Sequence, residues 1–196
     1  LSYIESGKML LGSENFSIPS LAQEVTSVMQ PNFISKEQDY SVTLETTGHE
    51  FFVGDPIRLK QVLINLLSNA NKYTQNGGKI HLSIIEHACD IKDHAMIEFR
   101  VADNGIGISE DKLASVFTPF FREVNSNLNR VEGTGLGLSI VKTIVDAMGG
   151  RIRIESKKGE GTTFYVEVPL GIAPENYMLQ KYASLRQTRI FICENE

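Results

Sequence analysis

The sequence predicts an α/β fold, a two-layer sandwich in which a mixed sheet of about five strands is covered on one face by about three helices. Three observations predict it. Between Pro56 and Tyr73, the residues Leu59, Val62, Leu63, Leu66, Leu67, Ala70 and Tyr73 fill one broad arc when placed at about 100° per residue, which is the mark of a helix with one buried face. Two alternating runs follow, Lys79 to Glu86 and Met96 to Asp103, with the period of two expected of strands. A further helix, Gly137 to Met148, is succeeded by two more strand segments, Arg151 to Ser156 and Thr162 to Leu170. The strict strand–helix alternation of a doubly wound parallel sheet is missing.

In chain order, Leu1 to Leu11 reads as the end of a helix, with Leu1, Ile4, Lys8 and Leu11 on one side, and Gly12 to Ser17 as a connector. Ile18-Pro19-Ser20 opens a helix whose apolar residues are Leu21, Val25, Val28 and Met29, with Pro31 following its end. Tyr40 to Leu44 alternates as a strand should, and Phe51 to Val53 is a short strand. Gly54-Asp55-Pro56 starts the long helix, Asp55 as N-cap and Pro56 at the first helical position; Asn76-Gly77-Gly78 stops it. Ser109 is expected to cap a short helix through Phe117. Arg122 to Glu132 is polar, rich in Asn and aperiodic, as expected of a mobile loop. The helix Gly137 to Met148 (Leu138, Val141, Ile144, Val145, Met148) ends at Gly149-Gly150, and Lys157 to Gly161 is the turn between the closing strands. After Gly171 come a linker, a short helical stretch and an apolar strand, Arg189 to Cys193.

The bulk properties narrow the function. The chain has 196 residues, enough for one domain with flanking pieces, and 41% hydrophobic residues supply a core. A formal net charge of -5 provides no global basic surface for nucleic acid or anionic lipid. Cys89 and Cys193 have no metal-ligand spacing and suit a reducing cytoplasm. No apolar run approaches the ~20 residues that span a bilayer, so no membrane contact is expected of this segment, although a parent protein anchored in the inner membrane stays open. The opening in mid-helix is expected of a piece of something longer.

Several residues carry chemistry. On the helix from Pro56, Asn65, Asn69 and Lys72 share one edge of the apolar arc, while Asn71 lies far from them beside Ile64 and reads as a solvated flank. Asn is a poor helix former; its amide oxygens are neutral, hard ligands for Mg²⁺, and a neighbouring Lys meets phosphate as a point charge. Asp103 falls on the apolar face of its strand, where a carboxylate must find donors or be costly. It is either a turn residue opening Asp103-Asn104-Gly105 or an acceptor for the exocyclic amine of adenine, with Gly105 and Gly107 letting backbone approach the base past Ile106. Gly133-Thr134-Gly135-Leu136-Gly137-Leu138 precedes a helix, whose N-terminus offers N–H groups and a positive dipole end to phosphate. It is not a Walker loop and follows no strand. Phe117, Phe120 and Phe121 read as core residues. Arg122 stands where the polar loop begins, within reach of a terminal phosphate; Arg130 and Lys142 are weaker candidates. The four histidines, His49, His81, His87 and His94, lie in strands or loops without evident partners and read as structural or solvent residues.

In order and spacing, these segments resemble the N, G1, F and G2 boxes of the catalytic ATP-binding domain of sensor histidine kinases, in the superfamily shared with gyrase B, the heat-shock chaperone ATPase and the mismatch-repair ATPase. The match covers about residues 17 to 170. The resemblance implies a layered sandwich with ATP held beneath a lid between the last motifs. It implies Asn69 on Mg²⁺ with Asn65 assisting, Lys72 and Tyr73 at phosphate and nucleoside, Asp103 on adenine, Gly105, Ile106 and Gly107 around the base, and Thr134, Gly135, Leu136, Gly137 and Leu138 near the phosphates. Asn65, Lys72 and Arg122 would act on the transferring group. Hydrolytic relatives carry a glutamate where this chain has Asn65. An amide cannot take a proton from water at neutral pH, which favours transfer to a protein side chain.

The expected function is therefore transfer of the γ-phosphoryl of Mg-ATP to a histidine on a dimerisation domain, with a response regulator or fused receiver as the next partner. A degenerate binding module and a serine kinase of the same superfamily are the alternatives. Intact Asn69, Asp103 and glycines speak against the first, and Ile4 to Lys8, similar to the end of a dimerisation helix, against the second. The expected division is 1–16 for the end of that helix and connector, 17–170 for the catalytic domain, and 171–196 for a linker and the start of a receiver domain, which Arg189 to Glu196 resembles. A homodimer would form through the missing helices.

Overall fold

The computed structural model describes residues 9–121, 134–174 and Tyr177. Of the helix end expected over Leu1 to Leu11, residues 1–8 lie outside the described residues and Met9 to Leu11 are not helical; the polar loop with Arg122 and Arg130, Gly133, and the strand at 189–193 lie outside the described residues. The elements are β1 (Glu14–Ser17), α1 (Ile18–Ser35), β2 (Asp39–Glu45), β3 (Phe51–Gly54), α2 (Pro56–Tyr73), β4 (Lys79–Ala88), β5 (His94–Asp103), α3 (Glu110–Leu113), α4 (Gly137–Ala147), β6 (Arg151–Lys157) and β7 (Gly161–Ile172).

The strands form one mixed sheet in the order β1-β3-β7-β5-β4-β2, with β6 also on β7. Only β2 and β4 run parallel; β5 pairs antiparallel with β4 on one side and with β7 on the other. The sheet has seven strands, more than the five or so expected. Glu14–Ser17, read as connector, pairs with Phe51–Gly54. A four-residue edge strand has too few positions to show an alternation; what makes it a strand is the unpaired edge of β3.

α2 packs between α1 and α4 and lies over β4 and β5. Its arc is buried as its spacing predicts: Leu59, Leu63, Leu66 and Leu67 are 0% exposed, facing Ile97, Phe99 and Val101 of β5 and Phe164 and Val166 of β7 in one cluster. Each such side chain contributes about 1.5–3 kcal/mol relative to exposure. The start of α2 is the expected one. Asp55 accepts Arg58 N–H on Oδ1 at 2.9 Å and Gly12 N–H on Oδ2 at 2.7 Å, and Pro56 follows.

Four expectations are corrected. α1 does not stop before Pro31 but runs to Ser35 with the proline inside. Phe33, 2% exposed and stacked on Tyr40 at 4.5 Å, buries enough to hold the last turn, offsetting the hydrogen bond that proline cannot make. Val28 is 54% exposed and so lies off the buried face. The short helix spans only Glu110–Leu113, Ser109 makes no side-chain cap, and the chain continues in i→i+3 turns to Phe121. Three histidines have partners: His49 Nδ1 meets buried Glu86 at 2.6 Å, His81 bridges Ser41 and Thr43, and His94 meets the Lys92 carbonyl. Those roles remain structural.

The end of α2 holds a finding the sequence hid. A helix leaves its last four carbonyls without helical partners. Here Ala70 O accepts Thr74 N–H, and Tyr73 O accepts Ile106 N–H at 3.2 Å. Asn71 O accepts Lys36 Nζ at 2.6 Å and Gln38 Nε2 at 3.1 Å, and Lys72 O accepts Lys36 Nζ at 3.3 Å. Gln38 Nε2 also donates to Thr74 O at 2.9 Å, while its Oε1 accepts Asn71 Nδ2 at 2.6 Å. Asn71 is thus half-buried and tied to α1 and Gln38 rather than a solvated flank. Replacing Gln38 by Ala removes its hydrogen bonds to Asn71 and Thr74 and leaves Lys36 as the remaining side-chain donor to Asn71 O and Thr74 O, so it is expected to cost about 1–2 kcal/mol. Urea unfolding measures this against Gln30→Ala on the exposed side of α1, which should stay within about 0.5 kcal/mol of the parent.

Candidate functional site

Asn65, Asn69 and Lys72 stand half-buried on one edge of α2. The Asn65 amide donates through Nδ2 to Gln61 O at 2.9 Å, which leaves Oδ1 as its outward atom. That oxygen meets α4: a Cβ built on Gly137 would lie 2.9 Å from Asn65 Oδ1. Only a residue without a side chain leaves the oxygen open there. Gly137 is the first residue of α4, and Leu136 before it provides no side-chain cap, so the positive end of an 11-residue helix faces the asparagine rim. Tyr73, counted in the apolar arc, is 39% exposed, with the Lys72 ammonium 5.0 Å from its ring centre.

Asp103 ends β5, opposite Ile80 of β4 and Thr162 of β7. Its Oδ1 accepts the Gly105 N–H at 2.8 Å. Burial pushes its carboxyl from the ordinary 3.8 up to about 6, against the pull of the Gly105 and Thr162 backbone N–H groups. The loop after it is clamped from both sides. Ile106 N–H donates to Tyr73 O at the end of α2, and Ile106 O accepts Gly159 N–H of the β6–β7 turn at 2.7 Å. Gly107 has φ +64°, and a Cβ on it would lie 2.0 Å from Lys157 O. Gly161 has φ +114°, and its Cβ would lie 2.0 Å from Asp103 O. No side chain fits at either position.

The structure therefore brings Asn65, Gly137 and the rim of α2 together, and joins Asp103, Gly105, Ile106 and Gly107 to the end of α2 through Tyr73. Gly135, with φ +72°, accepts Phe120 N–H on its carbonyl at 3.0 Å. Thr134 is exposed, Leu136 half-buried, and Leu138 packs on the core. Of the three phenylalanines only Phe117 joins the core, 6.5 Å from Phe164. Phe120 is 66% exposed because a positive φ of 63° turns it outward. Lys142 is paired with Asp146 at 2.5 Å, an ordinary i,i+4 surface pair. Arg122 lies outside the described residues.

Sequence reasoning passed over the β6–β7 hairpin as a turn. Its residues Ser156, Gly159, Gly161 and Thr162 wall the loop after Asp103, and the one available signal was two glycines in so short a turn. A cavity of about 390 Å³, lined by Asn15, Phe16, Glu24, Phe51, Lys60 and Tyr177 among others, lies elsewhere, beside the N-terminus of α2. It contains none of the predicted residues. Among the described residues no helix is long and apolar enough to cross a membrane, and no group of three or more His, Cys, Asp or Glu could hold a metal ion. The neutral amide oxygens of Asn65 and Asn69 fit a hard divalent cation.

Residues 54–172 match the family model described as histidine kinase-, DNA gyrase B- and HSP90-like ATPase. The circadian input-output histidine kinase CikA of Synechococcus elongatus is 39% identical over 170 residues, which is 86% of this chain and 22% of that protein. The sensor protein GacS of Pseudomonas syringae pv. syringae is 34% identical over 175 residues, 89% of this chain and 19% of that protein. The hybrid signal transduction histidine kinase B of Dictyostelium discoideum is 36% identical over 171 residues, 87% of this chain and 9% of that protein. The chain thus spans only 9–22% of the length of these curated relatives. Among solved structures, full-length ShkA in complex with AMPPNP superposes with a TM-score of 0.70 at 30% identity, over 84% of this chain and 32% of that one. The nucleotide-free catalytic domain of the histidine kinase ThkA gives 0.63 at 29% identity, over 82% of this chain and 96% of that one.

The Asp103 carboxyl predicts a pH dependence of folding. Its value is raised on folding, so its contribution to stability is present below about 3.8 and lost as pH rises through about 6. At neutral pH the ionised group costs on the order of 3 kcal/mol. Asp103→Asn resembles the protonated acid. It should raise stability at pH 7 by up to about 3 kcal/mol and leave it nearly unchanged at pH 4, as urea midpoints at the two pH values would show. A variant destabilised at pH 7 would contradict this.

Proposed function

The chain belongs to the histidine kinase-, DNA gyrase B- and HSP90-like ATPase family, and from that premise we propose that it is the ATP-binding catalytic domain of a sensor histidine kinase. It would present the γ-phosphoryl of Mg-ATP to a histidine on the dimerisation helices of its parent protein. The observation that carries the reading is the half-buried carboxylate of Asp103, held at the mouth of a glycine loop that the end of α2 and the β6–β7 turn clamp from both sides. An ionised carboxylate has about four lone-pair sites, and the Gly105 and Thr162 N–H groups take two, so acceptor capacity is left for an exocyclic amine; glycine backbone on both flanks suits a flat base.

The roles divide along the pocket. Asp103 accepts the adenine amine. Gly105, Ile106 and Gly107 enclose the base, and Tyr73 contacts the nucleoside. Asn69 ligates the metal with Asn65, whose Oδ1 is left open by Gly137. Mg²⁺, when bound, supplies charge neutralisation on the phosphoryl oxygens. Lys72 adds a point charge at the phosphates. Thr134, Gly135, Leu136, Gly137 and Leu138 bring the positive end of α4 to the same groups; Arg122, outside the described residues, is assigned to the terminal phosphate on its place in the sequence alone. Catalysis is then positioning and charge stabilisation. An amide at Asn65 offers no general base for water, so the phosphoryl passes to a side chain.

The remaining assignments rest on the family resemblance. Residues before 14 would complete the dimerisation helix and connector, 14–172, from β1 to β7, the catalytic domain, and residues after 172 a linker into a receiver domain. The parent would be a homodimer with its catalytic domain in the cytoplasm, passing phosphate to a response regulator or to its own receiver. The name of one relative, a hybrid histidine kinase, supports that last step.

Asp103→Asn should weaken Mg-ATP by roughly 10- to 100-fold, since the amide turns a donor toward the adenine amine. Asn69→Ala should remove most of the dependence of affinity on Mg²⁺. Titration with a fluorescent ATP analogue, with and without the metal, reads both; two unchanged variants would sink the assignment. With radiolabelled ATP, the chain should label a separately supplied dimerisation domain and not itself. Stable label on His49, His81, His87 or His94 would contradict that.

A further inference from the structure

One hydroxyl sits between three parts of this pocket. Ser156 Oγ accepts Ile108 N–H at 2.8 Å, donates to Gly161 O at 2.8 Å, and lies 2.8 Å from Thr162 Oγ1. Ile108 closes the glycine loop after Asp103, and Gly161 lies against the Asp103 backbone. Ser156, Thr162 and Asp103 are direct cross-strand partners, in one row across β6, β7 and β5. Directly opposite residues share a face, with Cβ atoms about 4.5–5.5 Å apart.

The hydrogen-bond count decides the polarity of that row. A serine hydroxyl has one proton and two lone pairs. The proton goes to Gly161 O and one lone pair to Ile108 N–H, so the contact with Thr162 must take the threonine proton. Thr162, only 8% exposed, therefore turns its proton toward Ser156 and not toward Asp103, its cross-strand partner on the other side.

We propose that Ser156 is a positioning residue for the purine end of the pocket, holding the Thr162 proton away from Asp103 and anchoring the Gly105–Ile108 loop, so that the carboxylate keeps a lone pair for an exocyclic amine. The proposal rests on the reading of Asp103 as the adenine acceptor. Without the serine oxygen, the carboxylate across the row is an acceptor open to the Thr162 proton. Thr162 would then donate to Asp103 and compete with the 6-amino group, while the loop loses its anchor at Ile108.

Isothermal titration of the full chain with Mg-ADP and with the diphosphate of purine riboside, which lacks the 6-amino group, tests this. The wild type should prefer the adenine nucleotide by roughly 10- to 100-fold. Ser156→Ala should lose about 10-fold in affinity for ADP and much less for the analogue, so that the preference itself shrinks, and Ser156→Thr should restore it. Carbon-detected titration of the apo protein should show the Asp103 midpoint falling in Ser156→Ala, because a hydroxyl donor has been added to its ionised form. If the alanine variant is too unstable, Ser156→Cys keeps the shape with only weak hydrogen bonding and should behave the same way. Equal weakening for both nucleotides with an unmoved midpoint would overturn the proposal and reduce Ser156 to a structural residue. Equal affinity of the wild type for the two nucleotides would overturn the adenine reading, and the proposal with it.

Discussion

The last turn of α2 exposes carbonyls that the helix cannot satisfy, and the rest of the structure is arranged around what satisfies them. Lys36 and Gln38, from the passage between α1 and β2, cover Asn71, Lys72 and Thr74. Ile106 covers Tyr73 and thereby draws the glycine loop onto the helix end. The first set fixes the helix layer against the edge of the sheet; the second fixes the loop that follows Asp103. Stability and site share one helix terminus, because a buried carbonyl without a donor costs about 1–3 kcal/mol and the chain meets that need from two directions.

Asp103 is the opposite case, a group held at a disadvantage. It stands at the end of β5, in the middle of the sheet, opposite residues of both neighbours, and burial works against its charge. A chain optimised only for folding would carry Asn there. In the proposed reading the carboxylate is a preformed acceptor whose cost a ligand amine relieves, and function commonly retains residues that cost stability in this way. The hairpin β6–β7 completes the arrangement, with Gly161 making room for the Asp103 backbone and Ser156 setting the direction of the neighbouring hydroxyl.

The parts of the fold that obey a local period were legible. The arc of α2, its Asp55-Pro56 start, the alternation of β4 and β5, and the glycine stop of α4 all follow from sequence spacing. The site residues were legible one segment at a time: Asn65 and Asn69 by phase, Asp103 by its place on the apolar face, Gly137 by its position before a helix. Their meeting was expected only through the family resemblance and not from any local spacing, since Gly137 against Asn65 joins residues far apart in the chain. What failed depended on partners elsewhere. β1 is a strand because β3 has a free edge, α1 passes Pro31 because Phe33 finds Tyr40, and Asn71 is half-buried and tied down because Gln38 reaches it. Ser156 and Thr162 went unread because a cross-strand row has no signature in any one strand.

The central claim is that the nucleotide lies between the asparagine rim of α2, the loop after Asp103 and the start of α4, and not in the cavity beside the N-terminus of α2. Amide and side-chain NMR of the labelled protein, titrated with Mg-AMPPNP, tests it most directly. The account predicts the largest shifts at the backbone of Asp103 to Gly107, at Thr162 and Gly137, and at the side-chain amides of Asn65 and Asn69. Shifts centred on Asn15, Phe16, Phe51 and Lys60, with that set unmoved, would contradict it.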